Sequence, residues 1–187
     1  VLLEAISAIQ AGAAECPTVF AQIREVKKTC YVVIAGDRGL AGGYNANLFR
    51  MVARMSEGQE ACILPIGKKA TEHFRRRGSE ILSSSFEVTG ALGMGDCRQI
   101  GQLLCDGFAR GDFDRVEIVY TEFCSMLSQV PASLTLLPIT LEQCDTKRYS
   151  GAMIEGDPEE LVARIVPLYV SGILISILVG FLLNSTL

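Results

Sequence analysis

Short apolar runs alternate along this chain with stretches whose apolar positions recur every three or four residues. Cys30 to Ala35 (CYVVIA), Ala61 to Ile66 (ACILPI) and Val116 to Phe123 (VEIVYTEF) are compact, β-branched or aromatic, and bounded by turn residues. That pattern predicts buried strands. Pro65 restricts the second run to a strand's end, because proline gives a ladder no donor. Glu80 to Val88 reads as a weaker third strand, polar through Ser83, Ser84 and Ser85. Val130 to Ile139 carries Pro131 and Pro138 near its ends, as an edge strand does. Between these runs the period changes. From Asn45 onward Leu48, Phe49, Val52 and Met55 share a helical face, with Gly58 in the capping position. Lys68 to Arg77 is a charged helix that Gly78 terminates, and Asp96 caps a helix carrying Ile100, Leu103, Leu104 and Phe108 up to Gly111.

The two ends are helical as well. Val1 to Ala14 places Leu2, Leu3, Ile6 and Ile9 among alanines, an amphipathic pattern that ends by Pro17. Leu141 to Gly156 is polar and irregular. Asp157-Pro158-Glu159-Glu160 then supplies a cap, a proline in the first helical position and an acidic first turn. Strands alternating with helices imply a three-layer α/β/α, Rossmann-like domain. Its sheet is expected to be five-stranded and mainly parallel. The short link Cys124 to Gln129 makes the last strand an antiparallel edge, since a parallel return needs a longer crossover.

The final run has two readings. Ile165 to Leu187 contains no charged residue, so it is long enough for a membrane span. Gly172, Ser176 and Gly180 recur at every fourth position, as in close-packed membrane helices. Against a span stand Pro167, which would kink the helix near its start, and the lack of flanking cationic or tryptophan anchors. A helix buried on the sheet explains the run equally well.

Composition narrows the chemistry. The 187 residues suit one domain with a real core, and a net charge of −4 disfavours nucleic acid as a partner. The seven cysteines include no C-x-x-C pair, which favours reduced thiols in a cytosolic setting. Zinc is improbable with His73 as the one histidine. The first residue is Val1, which suggests a fragment. The turn after the first strand, with Gly36, Gly39, Gly42 and Gly43, invites a nucleotide-binding reading, yet it matches neither phosphate-binding glycine motif and offers only Arg38 to a phosphate. Asp37 is a general base, a metal ligand, or an acceptor for backbone N–H groups in the turn or for Arg38. Lys68, Lys69, Arg75, Arg76 and Arg77 form either an anion or membrane patch or a solvated helix face, with Ala70 and Phe74 inward. His73 has no evident partner. No credible catalytic constellation, metal site or cofactor site emerges.

The run VVIAGDRGLAGGYNANLF closely resembles the start of the globular domain of the γ subunit of F-type ATP synthases. The resemblance continues through LPIGKKATEHFRRRG, VEIVYTEFCSMLSQVPASLTLLPI and DPEELVARIVPLYVSGIL, in the order that family shows. It implies a non-catalytic central-stalk rotor that couples proton (or sodium) flow to ATP synthesis on other subunits. It implies partners too: the α and β catalytic subunits, the ε subunit and the membrane c-ring. The location implied is peripheral, on the cytoplasmic face of the cell membrane. Residues 1–14 are then the end of an N-terminal coiled-coil helix, 15–156 the globular domain and 157–187 the start of the C-terminal helix. The two end helices would be remnants of an antiparallel coiled coil. Val1 to Ala14 gives only about 21 Å of helix, too short for the whole N-terminal arm. After PLYVSGILISILV the family's acidic residue and polar heptads are replaced by Gly180, Phe181 and Leu182.

By the same resemblance, two stretches are candidate contact sites. One is the turn Asp37, Arg38, Gly39, Leu40, Gly42, Gly43, Tyr44 and Asn45. The other, for the ring or the ε subunit, is Ser125, Met126, Ser128, Gln129, Leu136 and Leu137. The extra cysteine pair of redox-regulated chloroplast forms is absent, so no thiol switch is expected. The rival readings are a small α/β nucleotide-binding enzyme and a single-span membrane protein with a soluble head.

Overall fold

The computed structural model describes residues 18–37, 43–86, 91–125, 128–139 and 158–185. The amphipathic pattern at Val1 to Ala14 and the polar stretch before Asp157 lie outside them. A single 3-10 turn (Val19–Ala21) leads into β1 (Lys28–Ile34), α1 (Tyr44–Met55), β2 (Glu60–Ile66) and α2 (Lys68–Arg76). Then come α3 (Met94–Arg110), β3 (Arg115–Ser125), β4 (Ser128–Leu137) and α4 (Pro158–Ser185).

The strands lie in the order β2-β1-β3-β4. β1 is parallel to both neighbours, with Cys30 opposite Cys62 and Tyr31 opposite Glu117, while β4 runs antiparallel to β3. The order reverses beside β1, so the crevice at its carboxyl end is the switch point of a doubly wound sheet.

Among the described residues the sheet has four strands rather than five. The expected third strand at Glu80 to Val88 is reduced, over its described part, to an isolated bridge between Ile81 and Ile63. The edge of β2 accounts for this. Ile63 N–H donates to Glu80 O at 2.8 Å, and Gly67 N–H to Phe86 O at 3.0 Å. Midway between them on the same side stands Pro65, which has no N–H to offer. There the adjacent chain bows away, and Ser85 N–H turns back to Ser83 Oγ at 3.3 Å.

Side-chain alternation gives the sheet two different faces. Cys30, Val32, Ile34, Leu64, Ile66, Val116 and Ile118 join the larger core with α3 and α4. Tyr31, Val33, Ala35, Ile63 and Val119 face α1 and α2 with Leu48, Val52, Ala70 and Phe74. The helix α4 buries Val162, Val166, Val170, Leu174, Leu178 and Phe181 at spacings of four and then three residues, one stripe of a helix. Its apolar stretch Val162–Leu183 is long enough to cross a membrane by length and composition, but 44% of it is buried in this fold. One stripe of the helix thus packs on the core, while any cover by the N-terminal helix lies outside the described residues. The helix is also continuous through Pro167.

α3 and α4 approach closely at Gly101. A Cβ there would lie 2.7 Å from Pro167 O and would also collide with Ser171 Oγ. The Ser171 hydroxyl donates to the same Pro167 carbonyl at 2.6 Å.

Helix ends follow local chemistry, with two shifts from expectation. At α2 the chain ends in a Schellman turn: Ser79 N–H bonds to Phe74 O and Gly78 N–H to Arg75 O, with Gly78 at φ +67°. α1 ends at Met55 with Ser56 as its cap, so Gly58 lies beyond it. α3 starts two residues before Asp96. Gly93 caps it, and Asp96 reaches back from the first turn to accept Gly93 N–H at 2.8 Å. A carboxylate there also meets the positive end of the helix dipole.

Candidate functional site

The switch-point turn begins where β1 ends. Asp37 Oδ1 accepts the N–H of Lys68 at 3.1 Å, the first residue of α2 and 31 positions away. The residue preceding Lys68 is Gly67, which has no side chain to cap the helix. Asp37 therefore supplies both an acceptor and a negative charge at the α2 N-terminus. Among the readings of Asp37, its carboxylate does accept a backbone N–H, here from the first residue of α2. Asn45 Oδ1 accepts Gly36 N–H at 3.4 Å, and Lys69 N–H reaches Gly36 O at 3.4 Å. Tyr44 is half-buried and burial raises its pKa, so it stays a neutral phenol. Gly43 caps α1. Arg38, Gly39, Leu40 and Gly42 lie outside the described residues. Among the described residues, the two ends of the turn link β1, α1 and α2 through these bonds.

The second candidate stretch divides. Ser125 and Ser128 pair across the β3–β4 hairpin and Gln129 is exposed, while Met126 lies outside the described residues. Leu136 and Leu137 must be corrected. They are 1% and 0% exposed and belong to the core beneath α3 and α4. The register shifts between Val116↔Leu137 and Glu117↔Thr135, leaving Leu136 as an extra residue. Such a bulge breaks the alternation, so two consecutive leucines face inward.

A feature that sequence spacing did not reveal lies between α1 and α2. Phe49 and His73 stack with ring centroids 4.1 Å apart, and Phe74 meets both rings edge-on. Two adjoining depressions, of about 250 and 310 Å³, share Phe49, Ala53, His73 and Arg77 in their walls. Burial first, and then Arg77, lowers the pKa of His73, so the imidazole is neutral at pH 7. The partner that His73 lacked in the sequence is the Phe49 ring. The apolar face marked by Phe49 was legible, but the pairing of two separate helices was not.

Other titratable groups serve the scaffold. Glu117 is buried and accepts the hydroxyl of Thr135 at 2.7 Å. Tyr31 donates to the terminal carbonyl of α1, Met55 O, at 2.9 Å. Cys30, Cys62, Cys97 and Cys105 are free and buried. Desolvation pushes Cys105 up to about 12, which keeps it a thiol.

Taken together, these features define a doubly wound α/β head whose switch-point turn is tied to its own backbone and whose last element is a long apolar helix. The family described as ATP synthase matches residues 2–182, and the chain belongs to that family, among its γ chains. It is 33% identical over 170 residues to the ATP synthase gamma chain of Ruminococcus albus, covering 88% of this chain and 59% of that one. To the ATP synthase gamma chain of Moorella thermoacetica it is 39% identical over 153 residues, covering 80% and 53%. The chain thus spans between half and two-thirds of the length of these relatives. A chain of the central stalk and c-ring structure of Tetrahymena thermophila mitochondrial ATP synthase has the same fold, with a TM-score of 0.64. Identity there is 22%, over 96% of this chain and 77% of that one.

Proposed function

We propose that this chain acts as a central-stalk rotor subunit of an ATP synthase. In this reading it couples ion translocation through the membrane ring to ATP synthesis in the catalytic hexamer and carries no catalytic residue of its own. The observation that carries the reading is the family match across nearly the whole chain, on a head with α4 packed along it. The partners are the α and β catalytic subunits, the ε subunit and the c-ring. The complex sits peripherally on the cytoplasmic face of the membrane.

The turn from Asp37 to Asn45 and the hairpin residues Ser125, Met126, Ser128 and Gln129 are the contact candidates. Leu136 and Leu137 support the hairpin from within. Residues 15–156 form the head, and residues 157–187 begin the shaft. Leu168, Val179 and Leu183 stay exposed on α4, at 46%, 49% and 66%. That apolar flank suits pairing with the helix expected over residues 1–14.

An alkaline carbonate wash of source membranes, followed by antibody capture of the chain, tests the reading. Release together with the α and β subunits is the expected result. Retention in the membrane without them would sink the rotor assignment and favour a spanning α4.

A further inference from the structure

Several cations sit beside acids: Lys28 contacts Glu80 at 2.7 Å, Arg110 contacts Asp112 at 2.7 Å and, on α2 itself, Lys69 contacts Glu72 at 3.2 Å. Arg50, Arg54 and Arg77, all exposed, have no carboxylate within ion-pair distance among the described residues. Arg50 contacts only the side-chain oxygen of Asn47, at 3.0 Å. Yet the chain as a whole is acidic, at −4. Three such cations therefore stand on one helix pair of an acidic molecule.

Two of them border an apolar channel. Arg50 and Arg77 both line the depression floored by the Phe49–His73 stack. The channel runs along α1 from Ala46 to its cap Ser56, eleven residues, or about 15 Å. That is longer than a single phosphate or carboxylate and close to three helical turns. Arg54, one turn beyond Arg50, faces a separate depression with Met51, Met55 and Pro131.

We propose that the α1–α2 channel docks an acidic amphipathic segment of a partner protein. Apolar side chains of the partner rest on the Phe49–His73 stack, and its carboxylates meet Arg50 and Arg77. The pairing is charge complementarity around an apolar floor, the layout of helix-in-groove recognition. The inference rests on the reading of this chain as a partner-binding subunit and assigns it a contact surface away from the switch-point turn and the β3–β4 hairpin.

The test titrates the full chain against a fluorescent helical peptide of Ala, Leu and Glu, about 15 residues long. A copy with every Glu replaced by Gln serves as control. The Glu peptide is expected to bind about tenfold more tightly than the Gln copy, and Arg50→Glu with Arg77→Glu to remove that preference. Arg50→Gln with Arg77→Gln, checked by circular dichroism, repeats the test with less perturbation. Phe49→Ala is expected to weaken both peptides alike.

Equal affinity for the two peptides, or binding untouched by the charge variants, overturns the proposal. So does binding of inorganic pyrophosphate or phosphatidylglycerol vesicles that depends on Arg50 and Arg77 while the Glu peptide does not bind. A wild-type chain that captures synthase subunits but ignores the Glu peptide sinks the channel alone. One that binds the peptide but captures no synthase subunit sinks the rotor reading alone.

Discussion

The two faces of the sheet are built from alternate residues of the same strands, yet they serve different ends. Beneath α3 and α4 the core is continuous and apolar, running from Phe20 through Ile100, Leu104 and Phe108 to Leu178. Beneath α1 and α2 the apolar cluster is smaller, and polar groups share the space: Glu117 and Thr121 on β3 are buried there beside the Tyr31 side of β1. The first face holds the domain together by hydrophobic burial. The second leaves half-open grooves, and Arg50, Arg54 and Arg77 on it have no acid within ion-pair distance among the described residues. A partner can bind on that side without disturbing the main core.

The largest effect expected comes from cutting into the sealed face. Phe108 is fully buried, stacks near Phe20 at 6.4 Å and lies 4.3 Å beneath the Arg24 guanidinium. Phe108→Ala is predicted to cost about 3–5 kcal/mol in urea unfolding. A loss as small as that of the matching change at half-buried Phe49 would erase the contrast between the faces. Gly101→Val forces a branched side chain against Pro167 O and Ser171, and an overpacking cost of about 1–3 kcal/mol is expected. An unchanged melting temperature would mean that α4 does not press on α3 at this point.

On the other face the effects shrink. Asp37→Ala removes the cap on α2 and is expected to cost about 1 kcal/mol, with faster amide exchange in the first turn of α2 as the local signature. The Arg50→Glu, Arg77→Glu pair is predicted to change stability by only about 0.5 kcal/mol or less, although it abolishes peptide discrimination. A severe loss of stability would make those arginines structural.

The smallest effect is a pH dependence. His73 has a folded pKa below its ordinary 6.5, so the unfolded chain binds the extra proton first. Its neutral form stabilises the fold above pH 6.5. That contribution is lost as pH falls from 6.5 through the folded value, and no further loss follows below it. Solvent screening at this half-exposed site keeps the slope slight. Urea midpoints between pH 7 and 5 for the wild type and His73→Phe check it, since the variant lacks this part of the slope.

Periodicity alone located β1, β2, β3, β4 and the helices between them, because burial of a strand or a helix stripe leaves its period in the residues. The antiparallel edge followed from a link too short to cross over. Its limits are equally physical. Whether Glu80 to Val88 joins the sheet depended on Pro65, which removes the one donor the neighbouring chain needed. The bond from Lys68 N–H to Asp37 could not be read from the turn, since the two residues stand 31 positions apart. Leu136 and Leu137 looked like a hairpin flank until a bulge turned both inward.

The sequence by itself therefore determined the element types, the three-layer class and the family resemblance, all of which reside in local pattern and residue order. Only the tertiary structure decided which apolar run is core and which is surface. It alone paired Phe49 with His73, and it alone left Arg50 and Arg77 without acids among the described residues. Those outcomes depend on contacts between segments far apart in the chain, and no spacing within a single segment encodes them.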